Sequence, residues 1–94
     1  MSCGVLAELE QVIRRRIAEG DPNSYTYSLY KSGVAHIARK VGEEAIELAV
    51  ASLAEGKQRV VEEAADLLYH VLVLLASQGL SLEDVCGELK RRRK

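Results

Sequence analysis

Apolar residues recur along this chain at three- and four-residue spacing, the period of an amphipathic helix. Leu6, Leu9, Ile13 and Ile17 set a first helix over about Val5 to Glu19. Ile37, Val41, Ala45 and Leu48 form the stripe of a second, over about Val34 to Glu55. A third, over about Gln58 to Ser77, is apolar nearly all round through Val60, Val61, Ala64, Leu67, Leu68, Val71, Leu72, Leu74 and Leu75. Such a helix is expected to be central and covered on every side. A fourth starts at the N-cap Ser81, carries Glu83 and Asp84 in its first turn, and runs into the basic end Lys90 to Lys94. Gly20, Gly56 and Gly79 each follow a periodic segment and suit the left-handed position that ends a helix. The lone proline, Pro22, marks a loop. Ser24 to Lys31 alternates weakly and carries Tyr25, Tyr27 and Tyr30. It reads as an ordered loop or a turn of helix rather than a short strand. The prediction is an all-α chain, a single domain over residues 1–94, with four helices in an antiparallel bundle. A chain of 94 residues buries a thin core alone, so dimerisation is expected to complete it.

Acids interrupt this pattern in two places. Each residue turns a helix by about 100°. Glu44 therefore falls inside the stripe of the second helix, with Glu47 on its edge. Glu63 and Asp66 project from one flank of the third helix, with His70 one turn beyond. An antiparallel pair joined through Gly56 would bring Glu44-x-x-Glu47 to face Glu63-x-x-Asp66. Two like charges about 4 Å apart cost on the order of 4 kcal/mol at an effective dielectric near 20. Four carboxylates around a partly buried site thus call for a cation or a shared proton. All-oxygen ligation points to Mg²⁺, with Mn²⁺ as a substitute, over zinc or copper. A di-iron bundle would need Glu-x-x-His steps, but Leu67 precedes His70 and Gly33 precedes His36. Glu43, Glu55, Glu62 and Asp84 have the ordinary reading of solvated acids. That reading weakens for Glu44 and Glu63, which both intrude on apolar surface.

Composition narrows the choice. A net charge of −1, with four Tyr and neither Phe nor Trp, argues against nucleic acid as a partner. Cys3 and Cys86 form no Cys-x-x-Cys pair, so zinc is not expected and both are read as reduced thiols. No apolar run is long enough for a membrane span, and the N-terminus lacks a signal-peptide pattern. A cytoplasmic location is expected.

Two stretches carry a resemblance: Lys40-Val41-Gly42-Glu43-Glu44-Ala45-Ile46-Glu47 and Glu62-Glu63-Ala64-Ala65-Asp66-Leu67-Leu68-Tyr69-His70. Ahead of them stand Ser24-Tyr25-Thr26, Lys31 and Gly33. From about Val5 to Val85 the chain resembles the phosphoribosyl-ATP pyrophosphohydrolases, histidine-biosynthesis enzymes within the MazG-like all-helical nucleotide pyrophosphohydrolases. The resemblance implies hydrolysis of phosphoribosyl-ATP to phosphoribosyl-AMP and pyrophosphate. It also implies a homodimer whose active sites lie beside the partner chain, and a phosphate contact from Lys40.

The expected roles follow. Glu44, Glu47, Glu63 and Asp66 hold Mg²⁺ and a bound water attacks in line, with Glu43 and Glu44 as catalytic candidates and Glu43 as base or water-orienting group. Lys31, His36 and Arg39 are weaker phosphate contacts, or solvent-facing. Ser24 and Thr26 bond substrate hydroxyls or cap the loop. His70 is a core histidine or a partner behind Asp66. The basic end is a solvated helix terminus. Two rivals remain: a housekeeping nucleoside-triphosphate pyrophosphohydrolase, and a non-enzymatic helical dimerisation module.

Overall fold

A computed structural model describes residues 4–93; Cys3 and Lys94 lie outside the described residues. The described residues contain five helices and no strand: α1 (Gly4–Glu19), α2 (Tyr25–Lys31), α3 (Val34–Ala54), α4 (Lys57–Ser77) and α5 (Leu82–Arg92). The all-α expectation holds, and the count of four is corrected to five. The additional helix is α2, in the segment read from sequence as a loop or a turn. Ser24 caps it, its Oγ accepting from the Tyr27 N–H at 3.2 Å. Thr26 and Leu29, three apart, turn inward and are buried. The tyrosine alternation that suggested extended chain lies across this inward pair.

The organising unit is the hairpin of α3 and α4, two helices of 21 residues each. Only Glu55 and Gly56 separate them, and they pack against each other along their length. So short a link makes the pair antiparallel. It also needs one residue with positive φ, which Gly56 supplies at 89°.

Helices α1 and α2 cover one end of this hairpin. There Ile13, Leu29, Ile37, Leu72 and Val73 form the buried core, with Leu6, Leu9, Ile17, Tyr69 and Leu82 packed around it. Helix α5 opens on a capping box between Ser81 and Asp84. The Leu82 N–H ties it to Glu10 Oε2 at 2.7 Å. Arg91 and Arg92 bond Glu88, as expected of a solvated helix end.

The far half of the hairpin is bare. Ile46, Val50 and Leu53 line one face of α3, and Leu53 is 87% exposed. On α4, Val61 is 63% and Leu68 is 47% exposed. In the isolated chain α4 is therefore not covered on every side, which corrects the sequence expectation. Ala45 is also exposed, because it sits about 80° round α3 from Ile37, at the margin of the stripe. The core is thin as anticipated: among the described residues six apolar side chains are buried.

Candidate metal centre

The buried positions of α3 are Ile37, Glu44 and Ala51, seven apart along one seam. That seam faces α4, so Glu44 is carried into the interface by the same periodicity that buries its apolar neighbours. On α4 the buried set is Glu63, His70, Leu72 and Val73. Two glutamates thus enter the hairpin seam from opposite walls, with 6% of Glu44 and 4% of Glu63 left exposed. Asp66, one turn beyond Glu63, completes the group. One carboxylate oxygen from each of Glu44, Glu63 and Asp66 lies within 4.8 Å of the others.

Glu63 shows that this group is out of balance. Its Oε2 accepts from the Arg59 guanidinium, while its Oε1 is buried with no hydrogen-bond partner. Burial pushes its carboxyl above the usual range; Arg59 opposes the shift, and Glu47 and Asp66 add to it. A buried carboxylate oxygen without a partner is costly. Three oxygens converging from two helices are the donors that a hard divalent ion takes. The residues present therefore fit Mg²⁺. Glu47 is exposed and outside the converging three, yet close enough to raise the Glu63 carboxyl.

Basic side chains flank the acids. Lys40 Nζ stands 3.6 Å from Glu44 Oε2 and 3.6 Å from Glu43 Oε1. Burial disfavours its charge, but Tyr25, Glu43 and Glu44 outweigh that and hold the ammonium above its ordinary pKa. Glu43 is exposed and also pairs with Arg39 at 3.7 Å. Arg39 in turn reaches His36 Nδ1 at 3.2 Å. Lys31 ends α2 in solvent.

Behind the acids lies a polar scaffold linking α2 to α4. His70 Nδ1 is 2.7 Å from the Asp66 carbonyl oxygen, which can only accept, so Nδ1 carries a proton. In the neutral ring Nε2 then accepts from the Tyr25 hydroxyl at 3.1 Å. His70 thus braces the backbone of Asp66, not its carboxylate. Thr26 Oγ1 bonds the Tyr69 hydroxyl. Ser24 and Thr26 also line a polar concavity of about 390 Å³ with Arg16, Asn23 and Tyr25.

Sequence reading passed over two residues that the structure brings to this region. Arg59 lies four positions before Glu63, the same spacing that links Lys40 to Glu44, and that was the available signal. Tyr25 gave none, because its contact with His70 spans 45 positions.

The fold and the acid cluster together define a class: all-helical proteins in which carboxylates from two antiparallel helices converge beside an open concavity. The chain belongs to the phosphoribosyl-ATP pyrophosphohydrolase family, whose model matches residues 6–93. It is 71% identical to the phosphoribosyl-ATP pyrophosphatase of Pyrobaculum arsenaticum and 72% identical to that of Pyrobaculum aerophilum, each over the whole of both chains. It is 58% identical to the phosphoribosyl-ATP pyrophosphatase of Metallosphaera sedula, over 96% of this chain and 97% of that one.

Proposed function

We propose that this protein hydrolyses phosphoribosyl-ATP to phosphoribosyl-AMP and pyrophosphate, a step of histidine biosynthesis, with Mg²⁺ held between α3 and α4. The family carries the substrate assignment. The observation that carries the chemistry is Glu63, a buried carboxylate with one unpartnered oxygen beside Glu44 and Asp66. Those three would hold the ion, with Glu47 at the margin. When bound, it supplies charge for the phosphoryl oxygens and a more acidic water.

The chain's own residues do the remaining work. Lys40, held charged beside Glu44, donates to a phosphate oxygen. Glu43 orients the attacking water and takes its proton once a phosphate draws Lys40 away. Lys31 and Arg39 add outer positive charge that attracts a polyanion, and His36 Nδ1 accepts from the Arg39 guanidinium. Ser24 Oγ spends a lone pair on the Tyr27 N–H and keeps its proton free for a substrate oxygen. Thr26 holds Tyr69, and His70 fixes the turn of α4 that carries Asp66.

The working unit is a homodimer of one-domain chains. The bare apolar stripe of α3 supports this, and so does its position. A concavity of about 280 Å³ beside the acids is lined by Ile46, Glu47, Val50, Glu55, Arg59 and Glu63. Apolar and acidic walls share one opening, so a partner laid on the stripe would also wall the site. No helix of the described residues is long and apolar enough to cross a membrane. The exposed free thiol of Cys86 suits a reducing cytoplasm.

The test is pyrophosphate release from phosphoribosyl-ATP and from ordinary nucleoside triphosphates, with and without a chelator. Release is expected from phosphoribosyl-ATP alone and should stop on chelation. In Glu44→Gln it should fall by on the order of a hundredfold or more while helicity is retained. Equal rates on ordinary triphosphates would favour a housekeeping pyrophosphohydrolase, and no release from any substrate a dimerisation module.

A further inference from the structure

Each buried glutamate of the centre has a base one turn before it on its own helix. Lys40 serves Glu44 at 3.6 Å, a loose contact from a side chain that also faces Glu43. Arg59 hydrogen-bonds Glu63 directly. Its Nη2 donates to Glu63 Oε2 and its Nη1 to Glu62 Oε1, and its Nε stands 3.6 Å from Glu55 Oε1. Because α3 and α4 run antiparallel, the two bases approach the acids from opposite ends of the seam. About half of the Arg59 side chain is exposed, and it lines the concavity beside the acids. Its stem is therefore free to swing outward without breaking any packed core.

This arrangement leaves Glu63 half served. Arg59 neutralises one oxygen, and the other stays buried without a partner. A guanidinium bonded to one carboxylate oxygen is a monovalent stand-in for a metal ion, and it draws off the negative charge that an ion entering at the other oxygen also needs. We propose that Arg59 is the resident counter-cation of the metal-free site: it competes with the divalent ion for Glu63 and is released into the adjoining concavity when the ion binds. The proposal rests on the metal reading of Glu44, Glu63 and Asp66, and it deepens that reading.

The consequence is a coupling between ion and substrate. A displaced Arg59 has lost one of its three anionic partners, keeps Glu62 and Glu55, and lines the concavity beside the acids. Phosphate oxygens match its planar fork as well as the carboxylate does. Ion and polyphosphate thus each favour the other, since one takes Glu63 and the other takes Arg59. The free protein binds the bare ion weakly, which keeps the centre open until substrate arrives.

The test is calorimetric titration of Mn²⁺ into the wild-type protein, Arg59→Gln and Arg59→Lys, with no nucleotide present. Far-UV circular dichroism shows that each variant remains helical. Arg59→Gln should bind Mn²⁺ about tenfold more tightly, the weight of one charge-assisted hydrogen bond no longer displaced. Arg59→Lys keeps the charge but loses the planar fork, and its Mn²⁺ affinity should fall between those of wild type and Arg59→Gln. Inorganic pyrophosphate, titrated with saturating Mn²⁺ present, should bind Arg59→Gln about tenfold more weakly than wild type. Equal or weaker Mn²⁺ binding by Arg59→Gln overturns the competition and leaves the metal centre standing. Failure of all three proteins to bind Mn²⁺ overturns both.

Discussion

Glu63 concentrates the chemistry of the site, since burial, like charge and a missing partner all act on one side chain. Glu44 and Glu63 could be picked out of the sequence because they break an apolar stripe, and a buried acid is costly enough to need a reason. What the stripe could not show was who else reaches them. Arg59 lies on the polar flank of α4, where bases are ordinary, and its role emerges only when its guanidinium is seen on a buried oxygen. Tyr69 offers a separate check on the scaffold behind the site. Burial raises its phenol above the ordinary value of about 10, with the Thr26 bond opposing the shift. A folded-state pKa raised above the unfolded one favours the neutral phenol in the fold. Its stabilising share is therefore present below about pH 10 and is lost as pH climbs through the raised value. Denaturant midpoints measured from pH 9 to 11.5 should fall on the alkaline side in the wild-type protein. Tyr69→Phe should lower stability by about 1 kcal/mol at neutral pH through the lost hydrogen bond, and should flatten that alkaline fall.

Legibility differed between elements for physical reasons. The long helices show three or more turns of periodic apolar residues, enough to place their ends within a residue or so. Helix α2 has 7 residues, under two full turns, so no periodicity can establish itself. Its signal lay in chemistry instead: Ser24 as a cap, with Thr26 and Leu29 three apart. The hairpin turn was legible from Gly56, and it carries a prediction. A Cβ added at Gly56 meets nothing within 4 Å, so the only cost of Gly56→Ala is the positive φ of 89°. With ψ at 166° this backbone lies in a region essentially reserved to glycine, so the cost is about 1–3 kcal/mol, read as a lower denaturation midpoint. Because the turn sets the register of α3 on α4, the variant should also weaken Mn²⁺ binding.

At the scale of the whole molecule, the single chain leaves an apolar face of its hairpin in solvent. The sequence foretold a thin core, but it also foretold an α4 covered on every side, and the isolated hairpin leaves Val61 and Leu68 in solvent. The two expectations are reconciled if the cover comes from a second copy, which periodicity within one chain cannot locate. Leu53→Glu places a charge on the most exposed residue of the α3 stripe. Sedimentation should show it dissociating at concentrations where the wild-type protein is dimeric, with at least a tenfold weaker association. Pyrophosphate release should fall with it, since Ile46 and Val50 wall the same opening as Glu47 and Glu63. The central claim is that carboxylates from α3 and α4 grip one divalent ion. Anomalous diffraction from crystals grown with Mn²⁺ tests it most directly. A peak bound by Glu44, Glu63 and Asp66, bridging the two helices, is the predicted result. A peak elsewhere, with Glu44 still paired with Lys40 and Glu63 with Arg59, would contradict it.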